Sequence, residues 1–260
     1  MTAVLQDLAT VRVLFLRDLM RFLRQPSRIV GALGQPLIFW IVLGSGMAST
    51  FRMPGADKLG YMEFFFPGVI VMVVLFASIF ATVSVIEDRS AGFLQAVLVA
   101  PGSRASLVLG KSIGSASVAL LQAAMFLALA PLAGFHYTQI NWPLLVTISI
   151  LASVGLTAFG FALAWLLDNI AAYHAIQMTL LVPLWVLSGA MFPVSDKHPV
   201  FAAIMRANPM TYATAGIRDA LYGAAGSPVP GPSMATNLTV MAAFALATVL
   251  LATLVCYRKR

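Results

Sequence analysis

The side chains whose types and spacing come nearest to doing chemistry gather in two places, Glu87-Asp88-Arg89 and Lys111-Ser112. Adjacent carboxylates invite an acid/base reading, but neighbours in sequence point to different sides of a helix, so Glu87 and Asp88 read as electrostatic elements. The run Ala105-Ser106-Leu107-Val108-Leu109-Gly110-Lys111-Ser112 fits a loose phosphate-binding loop with Ala for its first Gly. Such a loop follows a strand and wraps flexible backbone amides around phosphates. Here bulky Leu107, Val108 and Leu109 open an apolar segment and no strand precedes them, so Lys111 reads as a charged anchor. The histidines His136, His174 and His198 fall in different segments, and no Cys/His/Asp cluster has metal-ligand spacing. His174 and Met178 share a helical spacing that could bind a soft ion, but core packing is the stronger reading of it. No serine stands in a nucleophile elbow with a matching His and Asp. Nothing argues for catalysis, a metal, or a cofactor held by this chain.

The elements that carry these residues are apolar. Of the 260 residues, 60% are hydrophobic and only 10% charged, against about 45–50% and about 25% in a soluble domain. Mean hydropathy is +0.93. The net charge of +7 comes from basic residues that flank apolar runs rather than gather on one polar face, which excludes nucleic acid as a partner and orients the chain in a membrane. A lone cysteine, Cys256, excludes an intrachain disulfide. The N-terminus does not have the pattern of a cleaved signal peptide and reads as retained.

A bilayer core takes roughly 20 apolar residues per helix. Six segments qualify: 29–50, 64–86, 106–133, 142–167, 173–192 and 235–257. The fold class is therefore all-α integral membrane, with residues 1–28 as an N-terminal element and 29–260 as one transmembrane domain. Arg12, Arg17, Arg21, Arg24 and Arg28, then Arg89, Arg104 and Lys111, then Arg258, Lys259 and Arg260 fall on one side. The positive-inside rule makes that side cytosolic, with both termini on it.

Three further elements follow from local pattern. Over Leu8 to Arg24, Leu8, Val11, Phe15, Leu19 and Phe22 share one helical face and Arg17, Arg21 and Arg24 the other, as in a helix lying on the lipid surface. Glu87 to Pro101 reads as a short cytosolic amphipathic helix with Phe93, Leu94, Val97 and Leu98 in one stripe. The stretch from Pro199 to Gly223, interrupted by Arg206, Asn208-Pro209 and Arg218-Asp219, reads as two short helices, either a re-entrant hairpin or one lying on the outer surface. No Asp, Glu, Lys or Arg lies well inside a span, so a proton relay is missing and an external energy source is the natural expectation. Gln122 and Gln177 are the notable intramembrane amides, suited to a substrate path or to an interhelical hydrogen bond.

The order of these features resembles the ABC-2 family of ABC transporter permeases, in particular the bacterial drug-resistance and nodulation-export type. The resemblance rests on Phe66-Pro67-Gly68, on Glu87 through Gly92 to Ala100-Pro101 and Gly110-Lys111, on Leu187-Ser188-Gly189-Ala190-Met191-Phe192-Pro193, on Asn208-Pro209-Met210-Thr211-Tyr212 and on Gly216 to Gly223. It implies a permease of the bacterial inner membrane that pairs with a second permease copy, most simply as a homodimer, and binds two copies of a separately encoded ATPase that holds ATP and Mg. It implies export of a hydrophobic or amphipathic cargo, such as a drug, a lipid or a lipid-linked glycan. It assigns coupling to the ATPase to Glu87, Asp88, Arg89, Gly92, Phe93, Leu94, Val97, Leu98, Pro101 and Arg104, with a smaller contact near Asp168 and Asn169. It makes Asn208, Pro209, Arg218 and Gly223 part of a re-entrant hairpin on the outer side. The alternative to this reading is a channel or secondary carrier that works without ATP.

Overall fold

The computed structural model describes residues 3–51, 59–92, 103–167, 169–194 and 199–258. Among the described residues the chain is helical throughout: α1 (Ala3–Leu23), α2 (Pro26–Gly46), α3 (Tyr61–Ala81), α4 (Val83–Ser90), α5 (Arg104–Leu127), α6 (Trp142–Leu166), α7 (Ile170–Trp185), α8 (Pro199–Ala207), α9 (Pro209–Tyr222) and α10 (Met234–Arg258). A π-helical turn, Val186–Ala190, extends α7, and short 3-10 turns follow α5 and α9. Six segments are long and apolar enough to cross a membrane, one at each place where hydropathy puts it: Ile29–Gly46, Tyr61–Ser90, Ala105–Leu127, Trp142–Leu166, Ile170–Ala190 and Met234–Arg258.

Helix ends follow ordinary capping chemistry. Ser103, Asn141, Asn169 and Asn208 each accept a backbone N–H from the first turn of α5, α6, α7 and α9, satisfying donors that a helix N-terminus otherwise leaves bare. Pro26 and Pro209 open α2 and α9, where a missing N–H costs nothing. Pro26 therefore starts a helix, and the break after α1 falls at Arg24 and Gln25.

Helix α3 is the central post. Almost every residue from Phe64 to Leu75 is buried, which suits a helix whose sequence is apolar on all sides. Its aromatic end meets rings from three helices: Trp40 of α2 edge-on to Phe66, Phe126 of α5 stacked on Phe66, and Trp185 of α7 beside Phe65. The indole N–H of Trp185 donates to Gly68 O at 2.8 Å and that of Trp40 to Met62 O at 3.0 Å, so each ring is tied to the backbone of α3. The window of α3 is 78% buried, whereas those of α2, α7 and α10 are 17%, 22% and 22% buried. These three helices therefore present wide apolar faces outward, through residues such as Val30, Ile38, Val182, Leu246 and Leu254.

Helix α1 does not keep one apolar and one basic face apart. It packs along α5 through Val11, Leu14, Phe15, Asp18 and Phe22, while Leu8, Val13, Leu16, Met20 and Leu23 stay exposed. Close approach is possible because α5 carries Gly110 and Gly114 at the contact: a Cβ on Gly110 would lie 3.1 Å from the Val11 Cα, and one on Gly114 3.3 Å from the Phe15 Cα. Replacing Gly110 with Leu is expected to overpack this seam by about 1–3 kcal/mol and to loosen α1. Limited trypsin digestion of the purified protein checks it: cleavage at Arg12 and Arg17 speeds up in Gly110→Leu while the remaining fragment stays intact.

Candidate functional site

Where α1 crosses α5, four charged groups close on one another. Lys111 Nζ lies 2.6 Å from Asp88 Oδ2 and 3.3 Å from Asp18 Oδ1, and donates to Ser84 Oγ at 3.3 Å. Arg17 clamps the same Asp88 with both terminal nitrogens, Nη1 donating to Oδ2 at 3.0 Å and Nη2 to Oδ1. Two positive and two negative charges thus cancel inside the protein. The side chains of Lys111 and Asp88 are 2% and 4% exposed. Each charge in such surroundings is tolerable only because the others are present. Burial pushes the Asp18 carboxyl above the ordinary carboxylate range, and Lys111 and Arg17 act against that shift. The bidentate bond to Asp88 raises the Arg17 guanidinium further.

Around this centre the contacts continue outward. Arg21 Nη2 donates to Glu87 Oε2 at 2.9 Å, and Asp7 accepts the Ser103 N–H at 2.7 Å, just where α5 begins. Hydrogen bonding from Ser103 lowers the Asp7 carboxyl below its ordinary value. Arg89 reaches the other way, donating to Trp165 O at 3.0 Å with its guanidinium 4.9 Å from the centre of the Trp165 ring. The three charged residues of α4 are therefore fastened to α1, α5 and α6 at once.

This arrangement revises two sequence expectations. Glu87, Asp88 and Arg89 close the helix that continues the second span rather than open a separate surface helix, because their charges are matched by partners on α1, α5 and α6. Lys111 is a buried partner of two carboxylates, not a snorkelling anchor, because α1 covers it. Gly92 follows α4 with φ of 74°, and Arg104 opens α5. Phe93, Leu94, Val97, Leu98 and Pro101, like Asp168, lie outside the described residues. Arg17 and Arg21 join the cluster, whereas Arg24 is exposed beyond it. Sequence reasoning passed over Asp18, whose signal was an acid lodged between Arg17 and Arg21 in an otherwise basic helix.

Beside the cluster opens a cavity of about 460 Å³ between α1, α2, α3, α4, α5 and α7. Asp18, Arg21 and Glu87 stand on its wall together with Phe22, Met72, Phe76 and Phe80. Gln122 and His174 also line it. Gln177 is packed inside, its Oε1 2.9 Å from His174 Nδ1. The space can take an apolar body with a polar end.

The two short helices expected around Asn208-Pro209 are α8 and α9, which meet there. Asn208 caps α9 and also donates to Leu184 O at 2.7 Å, tying this junction to α7. Arg218 is buried and donates to Gly189 O at 3.1 Å. Gly223 ends α9 with φ of 54°, where a Cβ would meet Gln139 O at 1.9 Å, so only glycine fits the turn.

Comparison with known proteins agrees with the architecture. A family model described as ABC-2 type transporter matches residues 9–222. A protein named as a transport permease, ycf38, of Cyanophora paradoxa is 28% identical over 210 residues, covering 79% of this chain and 72% of the relative. Nodulation protein J of Sinorhizobium fredii is 27% identical over 227 residues, covering 85% and 82%. Daunorubicin resistance ABC transporter permease protein DrrB1 of Streptomyces coeruleorubidus is 24% identical over 237 residues, covering 88% and 81%.

Removing one member of a closed buried ion cluster leaves its partners uncompensated, at a cost of about 3–5 kcal/mol. Lys111→Met is expected to lower the thermal stability of the detergent-purified chain by that order, and Lys111→Met with Asp18→Asn by less than the two single changes added together. A double-mutant cycle on unfolding temperature checks both expectations.

Proposed function

Since the chain belongs to the ABC-2 type transporter family, we propose that it is the permease subunit of an ATP-driven exporter. In this reading ATP and Mg are bound by two copies of a separate ATPase subunit, and a second copy of this chain completes the permease. The protein sits in the bacterial inner membrane with both termini in the cytosol, as the distribution of Arg and Lys supports. The exposed apolar stripe of α1 then rests in the inner leaflet, and the hairpin of α8 and α9 enters from the outer side.

The observation that carries the reading is the fastening of α4. A load applied where the chain leaves Ser90 cannot be absorbed locally, because Glu87, Asp88 and Arg89 are bonded to α1, α5 and α6. That is the property required of a segment that passes movement from an ATPase into membrane helices. Residues 93–101 would supply the docking surface, with Phe93, Leu94, Val97 and Leu98 as apolar anchors.

Cargo in this reading enters the cavity beside the cluster. Its wall joins the rings of Phe76 and Phe80 to Gln122 and His174, which suits an amphipathic molecule. Two of the similar proteins carry names that refer to daunorubicin resistance and to nodulation, and an apolar cavity with a polar end accommodates either kind of cargo chemistry. The outward faces of α2 and α7 flank this cavity and supply the surface for the second copy.

The test is to co-express the chain with the ATPase encoded beside it, purify through a tag on this chain, and measure ATPase recovery and rate. Wild type is expected to capture the ATPase and stimulate it. Leu94→Asp and Phe93→Ala are expected to weaken capture by roughly tenfold or more, as loss of an interface anchor does. A chain that captures no ATPase, yet moves solute down a gradient in vesicles without one, would replace this reading with the ATP-independent carrier.

A further inference from the structure

A second cavity of about 460 Å³ lies between the π-helical turn, α8, α9 and residues 229–232. Its charged wall residues are Arg206, Arg218 and Asp219, and Ser188, Thr211 and Thr236 bring hydroxyls. The hydroxyls of Ser188 and Thr211 already donate to Trp185 O and Met205 O. Recognition by charge therefore falls to the arginines.

Arg218 is the unusual group. It is 94% buried, being 6% exposed. Its Nη2 donates to Gly189 O, and its guanidinium lies 4.8 Å from the centre of the Phe64 ring. Its Nε is buried with no hydrogen-bond partner. Neighbouring Asp219 is engaged by Asn237 Nδ2 at 3.3 Å and forms no ion pair with Arg218 among the described residues. A buried guanidinium normally faces a carboxylate or a phosphate, because desolvation otherwise costs several kcal/mol. Among the described residues Asp219, the adjacent carboxylate, does not supply one. The ring and the one carbonyl hold the guanidinium in place and leave donors over.

We propose that this cavity is an anion-binding site, in which Arg218, with Arg206 at the wall, takes a phosphate or carboxylate group. The group belongs to a membrane amphiphile's head or to a free anion. Ala215 also lines the space, so enlarging it fills the site without altering the guanidinium or its bond to Gly189.

The experiment uses the full chain, purified in a neutral detergent, with unfolding followed by tryptophan fluorescence. Sodium phosphate is titrated against sodium chloride of equal ionic strength, and phosphatidylglycerol against phosphatidylcholine in mixed micelles. A saturable rise in unfolding temperature is expected, because a ligand that binds only the folded state stabilises it. A rise with phosphate as well as phosphatidylglycerol assigns the site to anions in general. A rise with phosphatidylglycerol alone assigns it to a lipid head. Arg218→Gln and Ala215→Leu are each expected to raise the half-saturating concentration roughly tenfold or more. Should Arg218→Gln fail to fold, Ala215→Leu carries the test. Absence of any saturable rise in wild type, or a rise that Ala215→Leu leaves unchanged, overturns the proposal. No ATPase is present, so the result is independent of coupling.

Discussion

The ammonium of Lys111, wedged between the carboxylates of Asp18 and Asp88, is the contact on which the rest of this molecule's N-terminal end depends. It joins three segments: a leading helix, the end of the second span and the start of the third. Hydrophobic contact alone would allow α1 to slide or roll along α5, since apolar surface is non-directional. Four charges that cancel only in one arrangement do not allow it. Such clusters add little net stability over well-packed apolar groups. Here the cluster gives α1 one position and the second span a rigid end.

The bundle beyond it is asymmetric in a way that bears on transport. Helix α3 is enclosed by its neighbours, and its aromatic rings are fixed from two sides by Trp40 and Trp185. Helices α2 and α7 touch it on one side and are open on the other. An enclosed post with less enclosed partners around it suits alternating exposure of a cavity better than a bundle in which every helix is equally buried. The prolines inside α2 and α7, Pro36 and Pro183, add places where those partners can bend.

Much of this was legible in the sequence. Span number and position follow from runs of about 20 apolar residues, and the break into two short helices at Asn208-Pro209 from a capping residue followed by proline. The helical period of α1 was legible too, but not its rotation. Its seam residues were scored by hydropathy, and Asp18 lay hidden among them because its partners stand 70 positions downstream or more: Arg17 meets Asp88 across 71 positions and Asp18 meets Lys111 across 93. Lys111 was misjudged for the same reason, since a lysine near the end of an apolar run reads as snorkelling unless the covering helix is known. Arg218 was visible as a charge in the second of those short helices. Its enclosure by Phe64 and Gly189 was not, because those contacts come from other elements.

The span of those pairings has a bearing on how the protein is made. Chains emerge N-terminus first, so Arg17 and Asp18 leave the ribosome well before Asp88 and longer still before Lys111. Until the third span has entered the bilayer, α1 has no site to occupy, and its charges remain in contact with water and lipid head groups. Docking of α1 is therefore a closing step, available only after two later spans are in place with the right orientation. A second or third span inserted the wrong way round would put Asp88 or Lys111 on the far side and leave α1 unattached, with Leu14 and Phe22, which docking buries, left uncovered.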